Sequence, residues 1–219
     1  MSPRPRKVSD DDVFGATHRA MSRLAPGELT LAEIATEAGV TAGALVQRFG
    51  SKRDLLLLLF KQSAGSAGEM MRALRAHHAS PLAALRGYAT CMADLAKSPA
   101  AFVRNLAYLE IDLADPDFHA CLLQQARVTR AALRRWIVEA VAAGELDAEP
   151  STLARTIETM VTGSLMTWAT YRRGSAAQWI RADVDAVLAP YLPTRSDRAD
   201  VPARRGSDGS PAAARRRSR

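Results

Sequence analysis

Thr30 to Leu55 reads TLAEIATEAGVTAGALVQRFGSKRDL. Its spacing predicts three helix starts around one tight turn. Thr30 is followed three residues later by Glu33, the pattern of a capping box in which each side chain satisfies a backbone N–H at the helix start. Leu31, Ile34, Ala35 and Ala38 then fall on one face at helical spacing. Gly39 ends the helix, because a residue without Cβ takes a positive φ at little cost. Val40 packs in the corner and Thr41 caps a second helix. In that helix Leu45 and Phe49 lie one turn apart and point inward. Ala42, Gly43, Val46 and Gln47 are left on the outer face. Ser51 with Asp54 opens a further helix in the same capped way, with Lys52 in its first turn.

A helix, a short Gly turn and a short second helix form a helix-turn-helix unit. The same spacing also fits a plain hairpin in an all-α core, so the spacing alone leaves both open.

The segment resembles the N-terminal domain of the TetR (tetracycline repressor) family of transcription regulators. The resemblance rests on Thr30, Ile34-Ala35, Ala38-Gly39-Val40, Thr41, Gly43, Leu45-Val46, Phe49, Ser51-Lys52 and Leu55. It departs at Val46, where the family usually has a Tyr whose hydroxyl meets a DNA phosphate. The Pro26-Gly27-Glu28-Leu29 connection is also shorter than is usual. The resemblance implies binding of double-stranded operator DNA through Thr30, Thr41, Ala42, Gly43, Val46, Gln47, Arg48 and Lys52. Backbone contacts are expected from Lys52, Thr30, Thr41 and the helix N-termini beside them. Ala42 and Ala44 offer methyl groups to thymine, Gln47 suits adenine, and Arg48 suits guanine or a phosphate.

The chain has 219 residues, 47% hydrophobic and 24% charged, a composition of globular rather than disordered protein. Strand-like alternation is nearly absent, so the expected fold is all-α. The longest strongly apolar run, Leu55 to Phe60, is far short of a membrane span. The basic N-terminus has no apolar stretch behind it, so no signal peptide is expected, and the expected location is cytoplasmic. The two cysteines, Cys91 and Cys121, read as buried free thiols.

The net charge of +7 invites a nucleic-acid reading. However, residues 194–219 hold eight Arg against three Asp, which is +5 of the total. The local pattern is more informative. Arg4, Arg6 and Lys7 precede the first helix, and Gln47, Arg48, Lys52 and Arg53 cluster around the later ones.

Nine helices are expected. The first runs from about Asp10 to Leu24, with Ser9 and Asp12 as a capping-box-like start, and the fourth runs from Ser51 to about Ala76. The leucine run of the fourth suggests burial on most sides and a strut between two domains. Ser80-Pro81, Ser98-Pro99, Asp115-Pro116-Asp117 and Pro150-Ser151 open the next four, with Pro in the first turn where its missing N–H costs little. A ninth runs from Ala176 to about Leu192. The expected domains are a DNA-binding head over residues 1–60, a ligand-binding and dimerisation body over 61–193, and a disordered Arg-rich tail over 194–219.

The eighth helix is apolar on more than one face, and the ninth carries a single stripe. More apolar surface than one small domain covers suggests a dimer. The resemblance implies that the last two helices form a four-helix bundle across a two-fold axis. The residues expected at that face are Ile157, Val161, Ser164, Leu165, Trp179, Val184, Val187 and Leu188. It implies also a small-molecule effector held by the body. Candidate linings are Met92, Phe102, Asn105, Leu106, Leu109, Gln125, Thr129, Met160 and Trp168, with Asn105, Gln125 and Thr129 expected as buried polar groups that a ligand would satisfy. The function so implied is a ligand-responsive repressor. One rival is an architectural DNA binder without a ligand. Another is a helical enzyme, for which no glycine-rich phosphate loop, catalytic pair or cofactor site is evident. Asp115, Asp117 and His119 are explained by helix capping, and adjacent His77 and His78 point about 100° apart.

Overall fold

The structure is a computed structural model that describes residues 8–193. The expectations for Arg4, Arg6, Lys7 and the tail 194–219 lie outside those residues. Among the described residues there are nine α-helices and no strand. The helices are α1 (Asp10–Met21), α2 (Leu31–Ala38), α3 (Ala42–Phe49), α4 (Lys52–Ala76), α5 (Pro81–Met92), α6 (Pro99–Ala114), α7 (Pro116–Ala142), α8 (Pro150–Tyr171) and α9 (Ala176–Leu188). None is long and apolar enough to cross a membrane.

The helix ends follow local chemistry. At α1 both halves of the Ser9–Asp12 capping box form. At α2 the Thr30 half forms, its Oγ1 accepting from the Glu33 N–H at 3.1 Å. Thr41, Ser51, Ser80, Ser98 and Ser175 cap α3, α4, α5, α6 and α9 in the same way. Gly39 takes φ 69°, which turns the chain from α2 into α3. One cap was missed from the sequence. Glu149, not Pro150-Ser151 alone, starts α8: its carboxylate accepts from the N–H groups of Ser151 and Thr152 at 2.8 and 2.6 Å. Those bonds hold its pKa down to about 2. The α1 helix stops at Met21, three residues early, and the expected continuous fifth and ninth helices close in short 3-10 turns instead.

Two apolar cores form. The head core gathers Val13 and Ala20 of α1, Leu29, Ile34 and Ala35 around α2, Leu45 and Phe49 of α3, and Leu55 of α4. The body core gathers side chains of α5, α7, α8 and α9 around Trp136, Leu133 and Ile137. The α4 helix joins them, since Leu55 sits in the first core and Met71 in the second. With 25 residues it is about 37 Å long. Its leucine run is not buried on most sides: Leu55 and Leu59 are, Leu56 and Leu57 are half-buried, and Leu58 is 45% exposed. One helical stripe faces the cores and the rest faces water. The α6 helix reaches the head as well, for Tyr108 belongs to the head core. Its hydroxyl donates to the Leu24 carbonyl at 2.9 Å. Of the thiols, Cys121 is buried as expected and Cys91 is exposed.

Candidate nucleic-acid interface and effector region

The α3 helix presents a clear outer face. Leu45 and Phe49 anchor it in the head core. Gly43, Ala44, Gln47 and Val46, which is 51% exposed, point to solvent. Thr30 and Thr41 are exposed at the N-termini of α2 and α3. Ala42 is half-buried and packs against the head core.

Two cations expected at DNA are placed differently. The Lys52 Nζ donates to the Pro26 carbonyl at 3.1 Å and to the Leu29 carbonyl at 2.8 Å. It therefore ties the α1–α2 connection to the start of α4, and two of its three donors are used there. Arg48 folds back on α1. It pairs with Asp10, donates to the Val8 carbonyl at 2.7 Å, and lies 5.3 Å over the Phe49 ring. In this arrangement the guanidinium is held on its own domain. Gln47 carries no such tie in its exposed position on α3.

The effector candidates separate into three groups. Phe102 and Trp168 are buried members of the body core, with Met92, Leu106 and Met160 packed against it. Thr129 is buried, and Leu109 and Gln125 are half-buried. Asn105 is exposed, which corrects its expected place as a buried polar group: its position on α6 turns it toward water. Trp168 borders a 350 Å³ cleft beside Ala93 and Ser175, and its indole N–H donates to the Gly174 carbonyl at 3.1 Å. The sequence reading missed Trp136. It is fully buried, and its indole N–H has no hydrogen-bond partner among the described residues. Such a donor in a core is costly unless something supplies an acceptor. Trp136 lies two turns beyond Thr129 on the same face of α7. A Trp at that spacing reads as plain core in the sequence, and only its missing partner sets it apart.

Most of the expected dimer residues are packed within the single subunit. Ile157, Val161, Ser164, Leu165, Val184 and Leu188 are already buried inside the subunit. Ser164 donates to Asp183 across α8 and α9 at 2.5 Å. These side chains bind α8 to α9 and to the body core. Trp179 and Val187 remain half-buried at the edge. The open face of α8 is a different stripe. Thr162, Gly163, Met166, Thr167 and Thr170 are all exposed at helical spacing. Nearby, Tyr171 is 62% exposed and stacks on Trp179 with centroids 5.7 Å apart.

Head and body are also linked by charge. Arg53 makes bonds to both Asp115 carboxylate oxygens at 2.8 to 3.0 Å, and it reaches Asp117 at 2.7 Å. Asp117 and Asp115 hold the Arg53 pKa above its ordinary value, and Arg53 holds that of Asp115 below its own. Asp115, read as a helix cap, therefore has a second task. Among the described residues no group of three or more His, Cys, Asp and Glu side chains is arranged to hold a metal ion.

Residues 14–59 match the model of the bacterial regulatory proteins of the tetR family. No curated protein sequence matches the chain. Among solved structures, a TetR transcription regulator from Haloarcula marismortui is 19% identical, with a TM-score of 0.65 over 84% of this chain and 98% of its own. A TetR transcriptional regulator from Streptomyces coelicolor is 22% identical, with a TM-score of 0.61 over 85% and 99%. The transcriptional regulator FadR from Bacillus subtilis, in complex with stearoyl-CoA, is 16% identical, with a TM-score of 0.65 over 83% and 98%. At such identities the likeness is one of fold. The N-terminal segment thus matches the tetR family of bacterial regulatory proteins over residues 14–59, and the chain shares the fold of solved TetR regulators over most of its length.

Proposed function

We propose that the protein is a dimeric transcriptional repressor that leaves a palindromic operator when a small molecule binds the body. The observation that carries this reading is the α3 face: a short helix, anchored by Leu45 and Phe49, with Gly43, Ala44, Val46 and Gln47 free to enter a major groove. The exposed caps Thr30 and Thr41 stand where phosphates would flank it. Gln47 is the main base reader and Gly43 admits close approach of the backbone. Lys52 acts as a brace on the Pro26–Leu29 connection.

The dimer forms through the Thr162, Gly163, Met166, Thr167 and Thr170 stripe of α8, with Trp179 and Val187 at its border. A Cβ added at Gly163 meets nothing within 4 Å in the single chain, so a partner helix has room to approach. A two-fold pair sets the two α3 helices in successive major grooves about 34–36 Å apart, or a multiple of that. The effector occupies the body near Phe102, Thr129, Trp136 and Trp168 and offers an acceptor to the Trp136 indole. That a protein of this fold can bind a small molecule is supported by the Bacillus regulator, solved in complex with stearoyl-CoA. The effector acts only through its difference in affinity for the DNA-bound and free conformations.

Selection from a random double-stranded DNA library with the purified full chain tests this reading. Enrichment of a two-fold symmetric site is expected. Retention of DNA without any enriched sequence would instead support the architectural alternative.

A further inference from the structure

A cleft of about 180 Å³ lies where the head meets the body. Its walls come from four places: Pro26 in the α1–α2 connection, the first turns of α4, the end of α6, and Phe118 at the start of α7. The lining is mostly apolar, from Leu56, Phe60, Ile111 and Phe118. The Phe60 and Phe118 rings meet edge to face, 5.3 Å between centroids. One group is out of place there. Asp112 is only 7% exposed, lines the cleft, and has no hydrogen bond or ion pair among the described residues. Its neighbours are committed elsewhere. Lys52 is bonded to the Pro26 and Leu29 carbonyls, Arg53 to Asp115 and Asp117, and the Tyr108 hydroxyl to Leu24.

A buried carboxylate without a partner is costly, and a cation supplied from outside removes that cost. Aromatic walls around it add attraction for a positive charge attached to an apolar body. We propose that this cleft is a binding site for a small organic cation, an aryl or alkyl ammonium, with Asp112 as its counter-charge and Phe60, Phe118 and Ile111 around its apolar part. The volume sets the size. An apolar cavity of about 150 Å³ takes benzene, so the cleft takes a single ring with a short ammonium arm. The site is separate from the region around Trp136 in the body core. Because its walls belong to both head and body, an occupant bears on the angle between them. That regulatory consequence rests on the DNA-binding reading above, whereas the site itself does not.

The test uses the full chain without DNA and benzylammonium as the probe, followed by calorimetry at neutral pH. Binding to the wild-type chain is expected. It weakens at least about tenfold in Asp112→Asn and toward the neutral analogue benzyl alcohol, as loss of a desolvated charge pair requires. Ile111→Trp, which fills the cleft and leaves Asp112 in place, also abolishes it. No binding, equal binding by wild type and Asp112→Asn, or equal binding of benzyl alcohol overturns the proposal. A second arm measures affinity for the selected DNA with and without benzylammonium. If calorimetric binding holds and DNA affinity does not move, the site stands and its link to regulation fails.

Discussion

Replacing Asp112 by Asn should make the protein more stable at alkaline pH, against the usual outcome of a substitution at a buried position. Burial pushes the Asp112 carboxyl up to about 6 from its ordinary 3.8. The charged and titratable groups that line the same cleft are Lys52 and Arg53 from α4, Tyr108 from α6 and Asp115 between α6 and α7, and none of them pairs with it. Between about pH 4 and 6 the folded chain holds a proton that the unfolded chain has lost. Stability therefore falls as pH rises through that window, and the loss is complete above it. A displacement of about two pH units corresponds to about 3 kcal/mol. Water entering the cleft solvates the carboxylate in part, so about 1–2 kcal/mol is the expected size. Asn keeps the shape and removes the charge. Urea unfolding of both proteins, at one fixed concentration because the stability of the proposed dimer depends on it, should be compared near pH 4 and near pH 8. The Asn variant should gain about 1–2 kcal/mol on wild type between the two. Parallel pH curves for the two proteins would refute the argument, since they would mean that Asp112 is solvated or paired in solution.

Lys52→Ala should weaken binding to all DNA sequences alike while leaving the salt dependence unchanged, because its ammonium braces the Pro26–Leu29 connection. A salt slope lower by about one unit would assign it to a phosphate instead. Gln47→Ala should relax preference at one position of the selected site, and an unaltered preference would remove it as a base reader. Gly39→Val should cost about 1–3 kcal/mol in urea unfolding, since φ 69° is strained for a β-branched residue; an unchanged midpoint would mean that the turn relaxes freely. Gly163→Arg should yield a monomer by light scattering, and a persisting dimer would move the interface away from that stripe of α8.

Much of the fold was legible because its signals are local. The Ser and Thr caps, the Pro residues in first turns and the Gly39 turn act over three or four residues, and those interactions form wherever the chain goes. The outer face of α3 was legible for the same reason, since Leu45 and Phe49 leave only one side exposed. The faces of α8 were not. With Ile157, Leu165, Met166 and Trp168 around more than half its circumference, spacing alone does not say which stripe meets α9 and which meets water.

The sequence by itself thus determined the nine helices among the described residues, most of their starts and a helix-turn-helix head, through contacts made within one or two turns. The tertiary structure alone decided the use of the charged groups. Lys52 finds carbonyls 23 and 26 residues away, Arg48 returns to Val8 across 40, and Arg53 crosses to Asp115 across 62. It also left Asp112 without a hydrogen bond or ion pair among the described residues. A long polar side chain takes whatever acceptor packing brings within reach, and packing over such separations is set by the cores and not by any local pattern.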